Sequence, residues 1–423
     1  MKRVLVISYY WPPTGGSGVQ RWVKFCKYLP QFGWQPVVYT PLNPEQLAVD
    51  ESLLADIPEG LEVLKTPIRE PYDAYRRLLG KKAAAGEVNP VNAQKKSFGK
   101  KLALWARGNL FVPDPRVGWV RPSVKFLAAY LKEHPVDAVV TTGPPHSVHL
   151  IGRGLKKALG VRWIADFRDP WTEMFYFKHL GLWPCAERKH RRLEKAVLNE
   201  ADEVIAVSPP VRDDFQAKTS TAVHLVTNGF DPDDFPTGAP ARDGRRFTLV
   251  HTGLFAADGN PLELWDALAA KCSSDEAFRA VLQIRLAGKV DGEITRAIRD
   301  RGLGENLVEL GYLPHRQTVE EQRAADLLLL PLRCEPEYAK VLPGKIFEYL
   351  AARRPVLGIG QEDGAAAGIL RETGAGVMYD WDKGAQMAAF VDSVWNSRSG
   401  GPATSDVSAY SRVALTEKLS GIL

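Results

Sequence analysis

Short, almost unbroken apolar runs alternate along this chain with longer stretches in which apolar residues recur every three or four positions. The run Val4 to Ser8 has the character of a strand buried on both faces. The loop Pro12-Pro13-Thr14-Gly15-Gly16-Ser17-Gly18 follows it. Val19 to Leu29 then places Val19, Trp22, Val23, Phe25, Cys26 and Leu29 at helical spacing, and Gln35 to Thr40 reads as the next strand. Strand, loop, helix, strand is the unit of a parallel sheet covered by helices. The pattern returns at Ala138 to Thr142 (strand), Leu150 to Leu159 (helix), Val161 to Asp166 (strand), Glu187 to Asn199 (helix), Glu203 to Ser208 (strand) and His224 to Thr227 (short strand).

Pro236 to Arg246 is rich in Pro, Gly, Ala and Arg and lacks apolar periodicity, so it reads as a linker. A second series begins after it. Strands are expected at Phe247 to Thr252, Leu282 to Ala287, Asn306 to Leu310, Ala325 to Leu332 and Pro355 to Ile359. Helices are expected at Pro261 to Lys271, Gly292 to Arg301 and Pro343 to Ala352, with a mostly helical end from Gly384 to Leu423. The implied fold class is α/β, with two facing Rossmann-like domains. The expected divisions are 1–236, 237–400 and a C-terminal segment 401–423.

A chain of 423 residues is too long for one ordinary core, which agrees with two domains. At 45% hydrophobic and 25% charged it has the balance of a soluble globular protein. The four cysteines form neither a C-x-x-C pair nor a cluster with histidines, which fits a reducing compartment. The N-terminal apolar run is broken by Trp11-Pro12-Pro13 and reads as a strand rather than a signal peptide. No stretch approaches the roughly 20 apolar residues of a membrane span. A cytoplasmic protein is the expectation.

The net charge of +5 matters less than its distribution. Segment Arg76 to Arg107 concentrates basic residues, among them Lys95, Lys96, Lys100, Lys101 and Arg107, with Trp105 beside them. Two readings stand. One is a solvated charged loop and helix. The other is a patch for an anionic membrane surface, which would make the protein peripheral on the inner face of the cell membrane. No recognition motif supports nucleic acid.

Four places carry candidate chemistry. Glycines in the strand-to-helix loop at Gly15, Gly16 and Gly18 either make a tight turn or let backbone N–H groups meet an oxyanion. The loop is not G-x-G-x-x-G, no acidic residue ends the second strand, and no G-x-x-x-x-G-K-[ST] occurs, so a dinucleotide cofactor and a P-loop both lack support. His146 in Gly143-Pro144-Pro145-His146-Ser147 follows a strand, where it is either a satisfied structural imidazole or a partner for a sugar hydroxyl. Asp166 and Arg168 in Asp166-Phe167-Arg168-Asp169-Pro170-Trp171 either pair with neighbours or hold substrate hydroxyls, with Trp171 as an apolar face for a pyranose. Finally, Pro343-Gly344-Lys345 opens a helix after a buried strand, where free N–H groups and Lys345 favour a phosphate. Glu348, one turn on, can accept both ribose hydroxyls, or can form an i, i+3 ion pair with Lys345.

Taken in order, YYWPPTGGSGVQR, TTGPPHS, WIADFRDPW, VTNGFD, HTG and LPGKIFEYLAARRPV give the chain a resemblance over nearly its whole length. It resembles the retaining glycosyltransferases of GT-B fold, the "group 1" or family-4 class of bacterial polysaccharide and glycolipid enzymes. The resemblance implies transfer of a sugar from a nucleotide-diphosphate sugar to a glycan or lipid-linked acceptor, with retention, without metal or cofactor. It implies a site between the domains and a final helix crossing back to the N-terminal domain. His146, Asp166 and Arg168 would be catalytic. Gly15, Gly16, Gly253, Lys289, Lys340, Gly344, Lys345, Ile346 and Glu348 would bind the donor.

Two departures stand out. Lys340 occupies the position of the family motif's first glutamate, eight residues before Glu348. The loop Gly253 to Asn260 has no basic residue where the family often has two, leaving Lys345, Lys340 or Lys289 to neutralise the diphosphate. Many family members also carry a histidine where this chain has the Asp166–Arg168 segment. Two rival readings follow: a sugar-nucleotide epimerase of the same fold, and a catalytically silent nucleotide-sugar-binding or scaffold protein.

Overall fold

The computed structural model describes residues 1–45, 49–68, 70, 105–174, 177–236, 238, 244–397 and 406–423. The chain forms two compact units, Met1–Thr227 with Val413–Leu423, and Asn228–Arg412.

The first unit is built on strands β1 (Lys2–Ser8), β2 (Trp34–Pro41), β3 (Glu62–Thr66), β4 (Ala138–Gly143), β5 (Trp163–Phe167), β6 (Glu203–Ala206) and β7 (Val223–Leu225), in the order β3-β2-β1-β4-β5-β6-β7. Every pairing is parallel. Its helices are α1 (Ser17–Tyr28), α2 (Val120–Glu133), α3 (Ser147–Leu159), α4 (Pro184–Glu200) and α5 (Pro209–Gln216), with a further helical segment at 105–110. Both faces of the sheet are covered. Leu5 and Ile7 enter one core while Val4 and Val6 enter the other, as the two-residue period of a strand dictates.

The second unit holds β8 (Phe247–Thr252), β9 (Leu282–Ala287), β10 (Leu307–Gly311), β11 (Leu327–Pro331), β12 (Val356–Ile359) and β13 (Gly376–Tyr379), all parallel, in the order β10-β9-β8-β11-β12-β13. Its helices are α6 (Leu262–Ser274), α7 (Glu276–Val281), α8 (Gly292–Asp300), α9 (His315–Ala324), α10 (Gly344–Ala352), α11 (Ala365–Glu372) and α12 (Gly384–Asn396). In each sheet the order reverses once, between β1 and β4 and between β8 and β11. The carboxyl ends of the strands at such a reversal form the crevice in which open α/β sheets bind ligands.

The last helix, α13 (Arg412–Ile422), returns to the first unit as expected. Leu415, Leu419, Ile422 and Leu423 are buried with Val4, Val6 and Val23. Arg162 donates to the carbonyls of Ile422 and Leu423 at 2.9 and 3.1 Å, satisfying acceptors that a helix end leaves open.

The units divide at Thr227, ahead of the expected 236. Residues 228–235 go with the second unit because Phe230 N–H donates to Tyr410 O and Arg412 N–H to Phe230 O, while Phe230 and Phe235 pack on the second core. The return falls at Val413 rather than 401 for the same reason. No helix among the described residues is long and apolar enough to cross a membrane.

Candidate functional site

In the first unit the sheet reversal brings the Gly15–Gly18 loop, after β1, beside the Gly143–His146 loop, after β4; Ser8 pairs with Thr142 in the register. Gly16 holds φ 118°, and no side chain caps α1, so its first N–H groups face the loop. Thr14 is buried and its Oγ1 has no hydrogen-bond partner among the described residues. Arg168 reaches this loop from β5. Its Nε donates to Gly143 O at 3.3 Å and its Nη2 to Pro144 O. Nη1 lies where a Cβ on Gly18 would stand. Gly18 therefore lacks a side chain because the guanidinium occupies that space, at a helix N-terminus that favours an anion.

The neighbouring helix α3 behaves differently. Asp114 accepts from Ser147 N at 2.8 Å and Ser147 Oγ at 2.7 Å, so a carboxylate of the chain itself already sits at that N-terminus. His146, the residue before α3, is buried and stacks on Trp171 with centroids 4.8 Å apart and planes 2° from parallel. Neither ring nitrogen has a hydrogen-bond partner among the described residues. Burial, then the nearby His149, Arg168 and His190, hold it well below the usual histidine range, so the ring is neutral. His149 is structural: its Nδ1 meets Thr141 Oγ1 at 2.9 Å, and that hydroxyl accepts from Trp163 Nε1.

Asp166 corrects an expectation. It is completely buried and spends its oxygens inside the fold. Arg21 Nη2 donates at 2.9 Å, Trp22 Nε1 at 2.7 Å and Thr142 Oγ1 at 2.8 Å. Arg21, also fully buried, donates to Thr227 O and Val226 O. Asp166 is thus a structural ion-pair partner that cannot touch a substrate, whereas Arg168 is at the loop. Asp169, passed over in the sequence, accepts no hydrogen bond among the described residues. Burial, opposed by Arg168, lifts its carboxyl to about 6. The sequence also gave no sign of a buried network after β1, β2 and β3, where Arg116 pairs with Glu45 at 2.8 Å and Glu70 at 3.4 Å, and Tyr9 donates to Glu70.

In the second unit α10 starts at Gly344 with no capping side chain. Lys345 does not pair with Glu348. Its Nζ lies 3.2 Å from Leu254 O and 3.4 Å from His251 Nε2, and 3.4 Å from where a Cβ on Gly253 would be. Gly253 has φ 96°, a conformation glycine adopts without strain. Lys345 therefore stands over the loop after β8 that lacks a basic residue. Burial draws it down to about 8 against the pull of Glu348. Glu348 accepts from Gln322 Nε2 at 2.8 Å, and that amide also donates to Thr252 Oγ1 at 3.0 Å.

Ile346 is a second correction. Its side chain is core and its N–H already donates to Pro343 O at 3.1 Å, which leaves the amides of Gly344 and Lys345 for a phosphate. Lys289 is exposed, and Lys340 is half-buried at the end of the 3-10 turn Pro336–Lys340. Asp258, in the loop after β8, pairs with Arg333 Nε at 2.6 Å. Two Asp-x-Asp triplets occur, Asp231-Pro232-Asp233 and Asp380-Trp381-Asp382, so the lack of such a motif, an expected argument for metal independence, does not hold. Asp231 caps the turn Pro232–Asp234 by accepting from Asp233 N. Metal independence rests on the resemblance alone.

Lys95, Lys96, Lys100 and Lys101 lie outside the described residues. Arg107 is half-buried, and Trp105 packs edge-on against Trp183 at 5.1 Å.

Residues 93–234, less than half of the chain, match the family model described as Glycosyltransferase Family 4. No curated protein matches the sequence. Among solved structures, a sucrose-phosphate synthase from Thermosynechococcus elongatus is similar at 14% identity, over 100% of this chain and 95% of that one, with a TM-score of 0.60. A lipopolysaccharide outer core galactosyltransferase is similar at 12% identity over 100% and 98%, with a TM-score of 0.58. A trehalose-6-phosphate structure from E. coli bound with UDP-2-fluoro glucose is similar at 12% identity over 99% and 95%, with a TM-score of 0.57. At these identities the likeness establishes the fold: two Rossmann-like domains of the GT-B kind.

Proposed function

We propose that this protein is a glycosyltransferase. It moves a sugar from a nucleotide-diphosphate sugar to a glycan or lipid-linked acceptor, with retention and without metal. One observation carries the reading: Lys345 sits at the uncapped N-terminus of α10 with its ammonium over the loop after β8, and Glu348 stands one turn along. In such a site the cation and the Gly344 and Lys345 amides stabilise the departing diphosphate, and Glu348 accepts the ribose hydroxyls. In the first unit, Arg168 with the Gly15–Gly18 loop offers a further place for an anion, and the His146 imidazole, whose nitrogens have no partner among the described residues, offers a contact for a sugar hydroxyl. The family match and the nucleotide sugar bound in the E. coli structure support the same class of donor.

Thermal unfolding with UDP, GDP, ADP, CDP, dTDP and their common sugars tests this on wild type and Glu348→Ala. A ligand at about 100 times its dissociation constant adds about 2.7 kcal/mol to the native state. The expected result is stabilisation of wild type by one nucleoside diphosphate, largely lost in the variant. No shift with any nucleotide refutes the reading. Binding without turnover over an acceptor panel favours the silent binder, and conversion of the free nucleotide sugar favours an epimerase.

An anionic membrane surface is the second partner in this reading. Leu110 and Trp183 are 63% and 56% exposed. The outward stripe of α4 that starts beside Trp183 carries Arg188, Arg191, Arg192 and Lys195, while Glu194 is buried against Thr172. Apolar side chains flanked by cations suit the interface of an anionic bilayer. Co-sedimentation with anionic vesicles should fall steeply with salt; equal pelleting with neutral vesicles refutes it.

A further inference from the structure

We propose that His251 is a positioning residue for Lys345: a buried neutral imidazole, locked in one tautomer, that pins the ammonium over the loop after β8 and leaves its charge available to an anion. This rests on the reading of Lys345 as the cation that meets the diphosphate.

His251 is an anomaly in its strand. Phe247, Leu249 and Val250 of β8 are core residues, and His251 is completely buried among them. A buried imidazole is costly unless its nitrogens are used. Nδ1 lies 3.1 Å from Leu329 O on the adjacent β11. A carbonyl only accepts, so Nδ1 carries the proton and Nε2 presents a lone pair. That lone pair faces Lys345 Nζ, an obligate donor, at 3.4 Å. Burial and then the Lys345 charge hold the ring well below the usual histidine range, so the lone pair persists at neutral pH. Phe255 packs against the ring at 4.5 Å.

Lys345 thus has two neutral acceptors, His251 Nε2 and Leu254 O, and an ammonium has three N–H donors. The third has no acceptor among the described residues. The charged or titratable groups that face Lys345 are His251 from β8 and Glu348 from its own helix, and Glu348 is hydrogen-bonded to Gln322 instead. Pinning by neutral groups fixes the ammonium without cancelling its charge, which a carboxylate partner would do. An incoming diphosphate meets an oriented cation and loses less side-chain entropy on binding.

The test compares wild type with His251→Leu, His251→Gln and Lys345→Met, each checked for folding by circular dichroism. The apparent pKa of Lys345 is read by competitive acetylation with mass spectrometry, and binding of inorganic pyrophosphate and UDP by calorimetry. In wild type the Lys345 midpoint should lie near the value of about 8 to which burial draws it, and pyrophosphate binding should weaken through it as pH rises. His251→Leu should lower the midpoint by about one unit and weaken pyrophosphate about tenfold at pH 7.5, the factor one charge-assisted hydrogen bond carries. His251→Gln, whose amide oxygen can take over from Nε2, should recover most of both. An unchanged midpoint and affinity in His251→Leu overturn the proposal, reducing His251 to core packing. Should that variant not fold, His251→Met gives the same comparison. Wild-type pyrophosphate binding by Lys345→Met instead refutes the phosphate role of Lys345, whatever His251 does to its midpoint.

Discussion

Replacing Asp166 should destabilise the first unit rather than report on chemistry. Asp166 and Arg21 are both completely buried, 2.9 Å apart. Asp166→Ala takes the carboxylate away from the buried guanidinium, and strips an acceptor from Trp22 Nε1 and Thr142 Oγ1. Breaking a buried pair by removing one partner costs about 3–5 kcal/mol, because the survivor is an uncompensated buried charge. The two orphaned donors add to this, though not additively. We expect about 4 kcal/mol, which for a unit of this size lowers its melting temperature by roughly 8–16 °C. Calorimetry of wild type, Asp166→Ala and the doubly apolar Arg21→Met/Asp166→Leu checks it, and the double variant should regain part of the loss. The pair also sets an acid limit. Burial alone would raise the Asp166 carboxyl, but Arg21, Trp22 and Thr142 outweigh it and hold it below the usual range. Its contribution is full above the unfolded value of about 3.9 and is lost as pH falls through the lower native pKa. A variant that melts within 2 °C of wild type yet has lost all turnover would refute this account and return Asp166 to the chemistry.

Gly18→Ala should leave stability within about 1 kcal/mol, since alanine favours the helix and the side chain it displaces is flexible. It should weaken nucleotide-sugar binding about as much as Arg168→Ala does, with no further loss in the double variant, as double-mutant analysis by calorimetry would show. His146, His149, His190 and His251 are all held below the usual range by burial, His149 down to about 3. The unfolded chain takes up these protons near pH 6.5 and the folded one does not. Stability should therefore fall as pH drops below about 6.5, by up to roughly 1.4 kcal/mol per unit per histidine; urea midpoints equal at pH 7 and pH 5 would refute it.

The parallel strands were legible because strands buried on both faces must be apolar runs, and Phe247–Thr252 and Leu282–Ala287 form where the pattern places them. What escaped has weaker patterning. β3 (Glu62–Thr66) is an edge strand with charged residues at Glu62 and Lys65, and β13 (Gly376–Tyr379) begins with a glycine pressed against Val356 O. α11 opens on three alanines and α5 on two prolines, so neither shows a clear apolar stripe. At the site, the loops were legible from glycines after strands. The partners of each side chain were not, because they come from other elements: Asp166 meets Arg21 across 145 residues, and Lys345 meets His251 across 94.

Those distant partners decide between readings that the local sequence leaves open. A helix N-terminus attracts negative charge wherever it occurs, so a strand-loop-helix pattern alone does not identify a ligand site. Four helices here follow strands at the sheet reversals: α1, α3, α6 and α10. α3 has its N-terminus filled by Asp114, which removes it from contention. α1 and α10 have no capping side chain, and at each a cation arrives from outside the helix's first turn or from within it: Arg168 beside Gly18, and Lys345 over Gly253. In both cases a glycine makes the room and neutral groups of the chain hold the cation, Gly143 O for one and His251 with Leu254 O for the other. On the proposed reading, the charge that the second unit's loop lacks comes from Lys345 of α10, and the glycine at 253 admits it.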